Sequence, residues 1–134
     1  MITKTEMFSS ILDVAPGFNP IWNEFKENWA DEGPDELPLY LALGDLARYI
    51  ADKVTTTEAS EELQALFAIV ERWHIEGDDY VREAATIGLL EGLQNVTMND
   101  PKSQKTLENF LLPESKRWWL KVEEFWENDN LKAK

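Results

Sequence analysis

SEELQALFAIVERWHIEGDDYVREAATIGLLEGLQNV, residues 60–96, carries two helical periods joined by a turn. Leu63, Leu66, Phe67, Val70 and Trp73 recur at spacings of 3 and 4, which places them on one face of a helix. After the turn Glu76-Gly77-Asp78, a second helix is marked by Val81, Ala84, Ala85, Gly88, Leu89, Gly92, Leu93 and Val96. Each glycine in it costs about 1 kcal/mol of helix propensity. Close approach of a neighbouring helix would offset that cost, so a tight interface is expected at Gly88 and Gly92.

Working outward, Pro38 restarts a helix whose buried stripe is Leu39, Leu43, Leu46, Ile50 and Val54, with Asp45, Arg48 and Asp52 facing out. Thr55-x-x-Glu58 has capping-box spacing and links this helix to the central pair. Further upstream, Phe18, Ile21, Trp22, Phe25 and Trp29 form an aromatic stripe, opened by Asn19 as N-cap and Pro20 in the first turn. Met7, Phe8, Ile11 and Leu12 mark a first helix that Pro16-Gly17 ends. Downstream, Asp100-Pro101 opens a short helix with Leu107, Phe110 and Leu111. Pro113 opens the last, in which Trp118, Val122, Phe125 and Trp126 are expected to share a face, and residues 129–134 are expected to fray. VTTTEA is the one β-branched run, too short and turn-like for a strand. The expectation is an all-α single domain over residues 1–134, about seven helices packed as antiparallel hairpins.

Composition narrows the function classes. With 134 residues and 43% hydrophobic content the chain can bury a core without cross-links. It has no cysteine, so no disulfide framework and no thiolate metal site is expected. MITKTEMFSSILDV is broken by Lys4 and Glu6 and does not read as a secretory signal. No run approaches the roughly 18 to 20 apolar residues that span a bilayer. A soluble cytoplasmic protein is expected.

Charge is the strongest signal. The net charge is −13, and residues 1–100 hold 20 acidic against 6 basic residues while residues 101–134 hold 6 against 7. Such a surface repels nucleic acid and anionic membranes and attracts a basic protein. Acidity that serves solubility alone predicts the same composition.

No reaction is spelled out. Glu71-Arg72-Trp73-His74 fits Glu-x-x-His, half of a carboxylate-bridged di-iron motif, but His74 is the single histidine. It reads as a helix-end residue with a local partner. The pairs Asp78-Asp79, Glu61-Glu62 and Glu123-Glu124 are adjacent, so on a helix they point apart and do not form acid/base dyads. Ser9, Ser10 and Ser115 lack a histidine nearby in sequence. The glycines form neither phosphate-loop pattern, and Asp31-Glu32-Gly33-Pro34-Asp35-Glu36 does not follow the EF-hand order. Neither an enzyme, a metal nor a cofactor is expected.

Asp79-Tyr80-Val81-Arg82-Glu83-Ala84-Ala85, followed by leucines, resembles the second helix of a HEAT repeat. The resemblance implies that Asp79 caps the helix, Val81 and the alanines pack inward and Arg82 bonds a neighbouring turn. It covers Ser60 to Val96 without a second clean copy and implies a short, irregular α-solenoid.

More loosely, the whole chain resembles the small helical immunity proteins of bacterial polymorphic (Rhs-type) toxin systems. Phe18-x-x-Ile21-Trp22, the acidic loop before Leu37-Pro38, Asp79-x-Val81 and Leu89-Leu90-Glu91-x-Leu93 carry the likeness. It implies binding and neutralisation of one cognate toxin through an acidic surface, with no contact residues carried over. The residues expected to meet a basic partner are Asp31, Glu32, Asp35 and Glu36, then Glu58, Glu61 and Glu62. Trp119 is the tryptophan expected to stand exposed as an anchor, because six tryptophans crowd one core. A non-enzymatic scaffold or adaptor is the alternative. A third, a small-molecule domain, would show a closed pocket lined by tryptophans.

Overall fold

The computed structural model of the chain describes residues 1–33, 36–55 and 60–132, the side chains of Ser60 and residues 126–132 excepted. Seven helices follow one another: α1 (Met7–Val14), α2 (Asn19–Asn28), α3 (Leu39–Val54), α4 (Ser60–Glu76), α5, α6 (Pro101–Phe110) and α7 (Pro113–Lys132). Helix α5 is one rod made of Asp79–Glu83, a π-helical segment Ala84–Leu90, and Glu91–Val96. The fold is all-α, and no strand occurs among the described residues. A single parallel bridge ties Ile2 to Gly77, clipping the N-terminus onto the α4–α5 turn.

Helix α4 buries Leu63, Leu66, Phe67, Val70 and Trp73, the five apolar positions its period picks out. The α4–α5 turn is built tightly: a Cβ on Gly77 would overlap the Trp73 carbonyl, so this position takes only glycine. Asp78 caps α5 by accepting from the Val81 amide at 2.9 Å, while Asp79 stands exposed one residue later. The HEAT-like expectation is therefore corrected by one residue. Its other parts hold: Val81, Ala84 and Ala85 are fully buried, and Arg82 Nε donates to the Gly77 carbonyl at 2.8 Å.

Helix α3 packs against α5. A Cβ on Gly88 would come within 2.6 Å of Leu43 Cδ1, and one on Gly92 within 3.4 Å of the Ala47 Cβ. The two contacts advance together by 4 residues on each helix, so α3 and α5 run parallel with α4 returning between them in sequence. This is how helices i and i+2 lie in a stacked solenoid. Leu39, Leu43, Leu46 and Ile50 are buried as their spacing predicts, and Val54 is half-buried.

Two local expectations change. Asn19 is already helical (φ −54°, ψ −46°) because a 3₁₀ turn, Pro16–Phe18, runs directly into α2, so it does not cap. The buried seam of α7 is Ser115, Trp119 and Val122; of the face expected, Val122 is buried, Trp118 is half-buried, Phe125 is 63% exposed and the Trp126 side chain lies outside the described residues. α7 is described as a helix as far as Lys132. No described helix is long and apolar enough to cross a membrane.

Candidate functional site

The aromatic stripe of α2 starts in the core and ends outside it. Phe18 and Phe25 are buried, and Trp22 stacks on Phe8 at 4.5 Å and on Phe25 at 5.5 Å. Trp29, one turn on, sits at the helix C-cap (φ −118°, ψ 28°) and is 37% exposed. Leu41 of α3 is 55% exposed. Between them lies a groove of about 380 Å³, with Ile21, Phe25, Trp29 and Leu41 as apolar lining and Glu24, Asp45 and Arg48 around it.

The surroundings of this groove are strongly acidic. Residues 24–45 contain seven carboxylates and one lysine. Asp45 is paired with Arg48. Glu24, Glu27, Asp31, Glu32 and Glu36 are all exposed, and among the described residues none of them forms an ion pair. The Glu32 amide donates to the Trp29 carbonyl at 3.0 Å, so the acidic connection starts from the exposed tryptophan itself.

The sequence-predicted contacts divide accordingly. Asp31, Glu32 and Glu36 fall on the α2–α3 connection and do not line the groove, Glu32 being tied to it through the Trp29 carbonyl, whereas Asp35 and Glu58 lie outside the described residues. Glu61 and Glu62 occupy the first turn of α4, where carboxylates offset the helix dipole. Glu61 is exposed, but Glu62 accepts from the Tyr49 hydroxyl at 2.7 Å and meets Lys53 at 3.9 Å. Burial first, and the Glu62 carboxylate second, push the Tyr49 phenol well above its usual range. Glu62 is thus held within the fold.

Trp119 is a correction: it is 0% exposed, and its indole N–H donates to Glu108 at 3.0 Å and Glu123 at 2.9 Å. With Trp118 and Trp119 adjacent, either can face inward. Ser115 and Val122, at helical spacing from 119, put Trp119 inside. Among the described side chains the exposed tryptophan is Trp29, whose signal in the sequence was its place as last member of a stripe running into a polar loop.

A second polar cluster joins α4, α5 and α7. Glu71 accepts from the Glu114 and Ser115 amides at 2.9 and 2.8 Å and from the Ser115 hydroxyl at 2.8 Å, capping α7 from a neighbouring helix. Burial alone would raise the Glu71 carboxyl, but these hydrogen bonds outweigh it and hold it below the usual range. His74 Nδ1 lies 3.0 Å from the Val70 carbonyl and 3.1 Å from Ser115 Oγ, and Nε2 lies 3.1 Å from Thr86 Oγ1. A carbonyl only accepts, so Nδ1 carries the proton and Thr86 donates to Nε2. Burial lowers the His74 pKa despite the raising effects of Val70, Glu71 and Glu114.

So a histidine does stand next to Ser115, reached across 41 residues of sequence. Its polarity is the reverse of a nucleophile's, because Ser115 gives its proton to Glu71 and receives one from His74. Ser115 is also 0% exposed. The cluster therefore pins three helices together. No buried side-chain polar atom is left without a partner among the described residues, and no group of three metal-ligating side chains occurs among them.

Residues 8–127 match the family described as Domain of unknown function (DUF7674). The chain belongs to this family. No curated protein and no solved structure matches it.

Proposed function

We propose that this DUF7674 chain is a non-enzymatic inhibitor that binds one basic protein, the immunity partner of a bacterial toxin. One observation carries the reading: the α2–α3 groove exposes Trp29 and Leu41, and nearby in the chain Glu24, Glu27, Asp31, Glu32 and Glu36 are exposed without an ion pair among the described residues, Asp45 alone being paired, with Arg48. An aromatic anchor is where binding energy concentrates, and uncompensated charge at its rim speeds encounter with a positive partner. A toxin that attacks nucleic acid or nucleotides carries a basic cleft, in which Asp31, Glu32 and Glu36 would stand where phosphates stand. The rigid helices on either side limit the ordering cost of docking. The internal use of Ser115, His74 and Glu71 supports a protein that acts by contact.

The test is co-expression with the product of the adjacent gene, scored by rescue of growth and by co-purification. Rescue and co-purification, both lost on Trp29→Ala combined with Asp31→Lys, Glu32→Lys and Glu36→Lys, support the inhibitor. Co-purification without any growth effect points instead to an adaptor, and neither outcome with a neighbouring gene removes the reading.

A further inference from the structure

The groove where α4, α5 and α7 meet has a volume of about 530 Å³ and is separate from the α2–α3 surface. Two of the chain's four arginines line it, Arg82 and Arg117. Arg82 commits Nε to the Gly77 carbonyl and Arg117 commits Nη1 to Glu114 at 3.1 Å, which leaves further N–H groups on each guanidinium. On the floor, Thr86 spends its proton on His74, so its oxygen can only accept from a guest. Glu83, exposed beside it, accepts as well. Ile87, 46% exposed, and the half-buried Trp118 supply apolar surface.

With His74 neutral, the lining sets two guanidinium groups against Glu83 and Glu114, and the Lys121 ammonium lies 4.5 Å over the Trp118 ring at its edge. A simple anion meets carboxylate repulsion there as well as attraction. A ligand with both charges and a hydrocarbon arm matches all three kinds of surface. The π-helical segment also falls on this wall, bringing Thr86 and Ile87 to the groove, and such segments recur at functional sites.

We infer that this groove binds a free α-amino acid with a large apolar side chain. Its carboxylate meets Arg82 and Arg117, its ammonium meets Glu83 and the Thr86 oxygen, and its side chain lies over Ile87 and Trp118. The inference stands apart from the protein-binding surface and does not depend on it.

L-phenylalanine is the probe, titrated into the full chain while the Trp118 indole N–H resonance is followed by NMR. A saturable shift is expected with a dissociation constant on the order of 1 mM, the reach of so small a ligand. 3-Phenylpropionate, which lacks the ammonium, and phenethylamine, which lacks the carboxylate, should each bind about tenfold more weakly. Arg117→Gln should weaken L-phenylalanine by about tenfold, while Arg72→Gln, which does not line the groove, should leave the affinity unchanged. Glu83→Gln gives an independent reading if Arg117→Gln disturbs α7, since Glu83 forms no ion pair among the described residues. No saturable shift up to about 10 mM, equal binding of the three compounds, or unchanged affinity in both Arg117→Gln and Glu83→Gln overturns the inference.

Discussion

The α4–α5–α7 junction and the α2–α3 edge are both rich in polar groups, yet they use them in opposite ways. At the junction Glu71 receives three hydrogen bonds from α7, and His74 is bonded on both ring nitrogens. At the edge Glu24, Asp31, Glu32 and Glu36 point outward without an ion pair among the described residues, next to a tryptophan the core leaves partly uncovered. The difference teaches that acidity alone says nothing of role. A half-buried carboxylate such as Glu71 is met within the fold, because an unsatisfied group taken from water costs about 1–3 kcal/mol. An exposed one is free to act on a partner.

Substitutions at the two regions should therefore differ in kind. The largest effect belongs to the core beneath the junction. Trp73→Ala, which removes a 1% exposed indole bonded to the Met7 carbonyl, should cost about 3–5 kcal/mol in denaturant unfolding. Glu71→Gln keeps the shape but weakens the charge-assisted cap on α7, and a loss of about 1–3 kcal/mol is expected. Glu24→Gln, the same chemical change at the edge, should fall within about 0.5 kcal/mol of wild type. Equal losses at Glu71 and Glu24 would break the contrast.

Acid should act on the junction first. Because burial depresses the His74 pKa below 6.5, the unfolded chain takes up that proton before the folded one. The corresponding stability is present above pH 6.5 and is lost as pH falls through the folded value. Glu71 is also held below its ordinary 4.5, so its contribution is present above that pH and is lost further into acid. Both signs agree: stability falls as pH falls. The urea midpoint should drop between about pH 7.5 and pH 5.5, with a shallower drop in His74→Gln. The smallest effect on stability is expected from Asp31→Lys, Glu32→Lys and Glu36→Lys together, within about 0.5 kcal/mol, although these changes should affect partner binding most.

The sequence made the frame readable where period and chemistry agreed. The stripe of α4 recurs over five positions while Ile75, off the stripe, stands 58% exposed, and Gly88 and Gly92 announced the close contact with α3 that Leu43 and Ala47 make. α7 was misread because Trp118 and Trp119 are adjacent and equally apolar. Only the position of α4, which buries Ser115 against Glu71 and His74, breaks the tie. His74 has the local partner expected of it, the Val70 carbonyl one turn back, but its two hydroxyl partners lie 12 and 41 residues away, beyond any local pattern. Of the candidate site, the acidic loop was legible as a charge run, but its anchor was not. Trp29 looked like one more stripe residue until α2 ended beneath it.

The central claim is that unpaired negative charge beside Trp29 draws in a basic partner. Surface plasmon resonance with the adjacent gene's product, at about 50 and 500 mM salt, tests it on wild type and on the Asp31→Lys, Glu32→Lys, Glu36→Lys variant. The account predicts that wild-type association slows steeply at high salt and that the variant is slow at both concentrations, with its fold intact. Association that is equally fast in both proteins and indifferent to salt would contradict it.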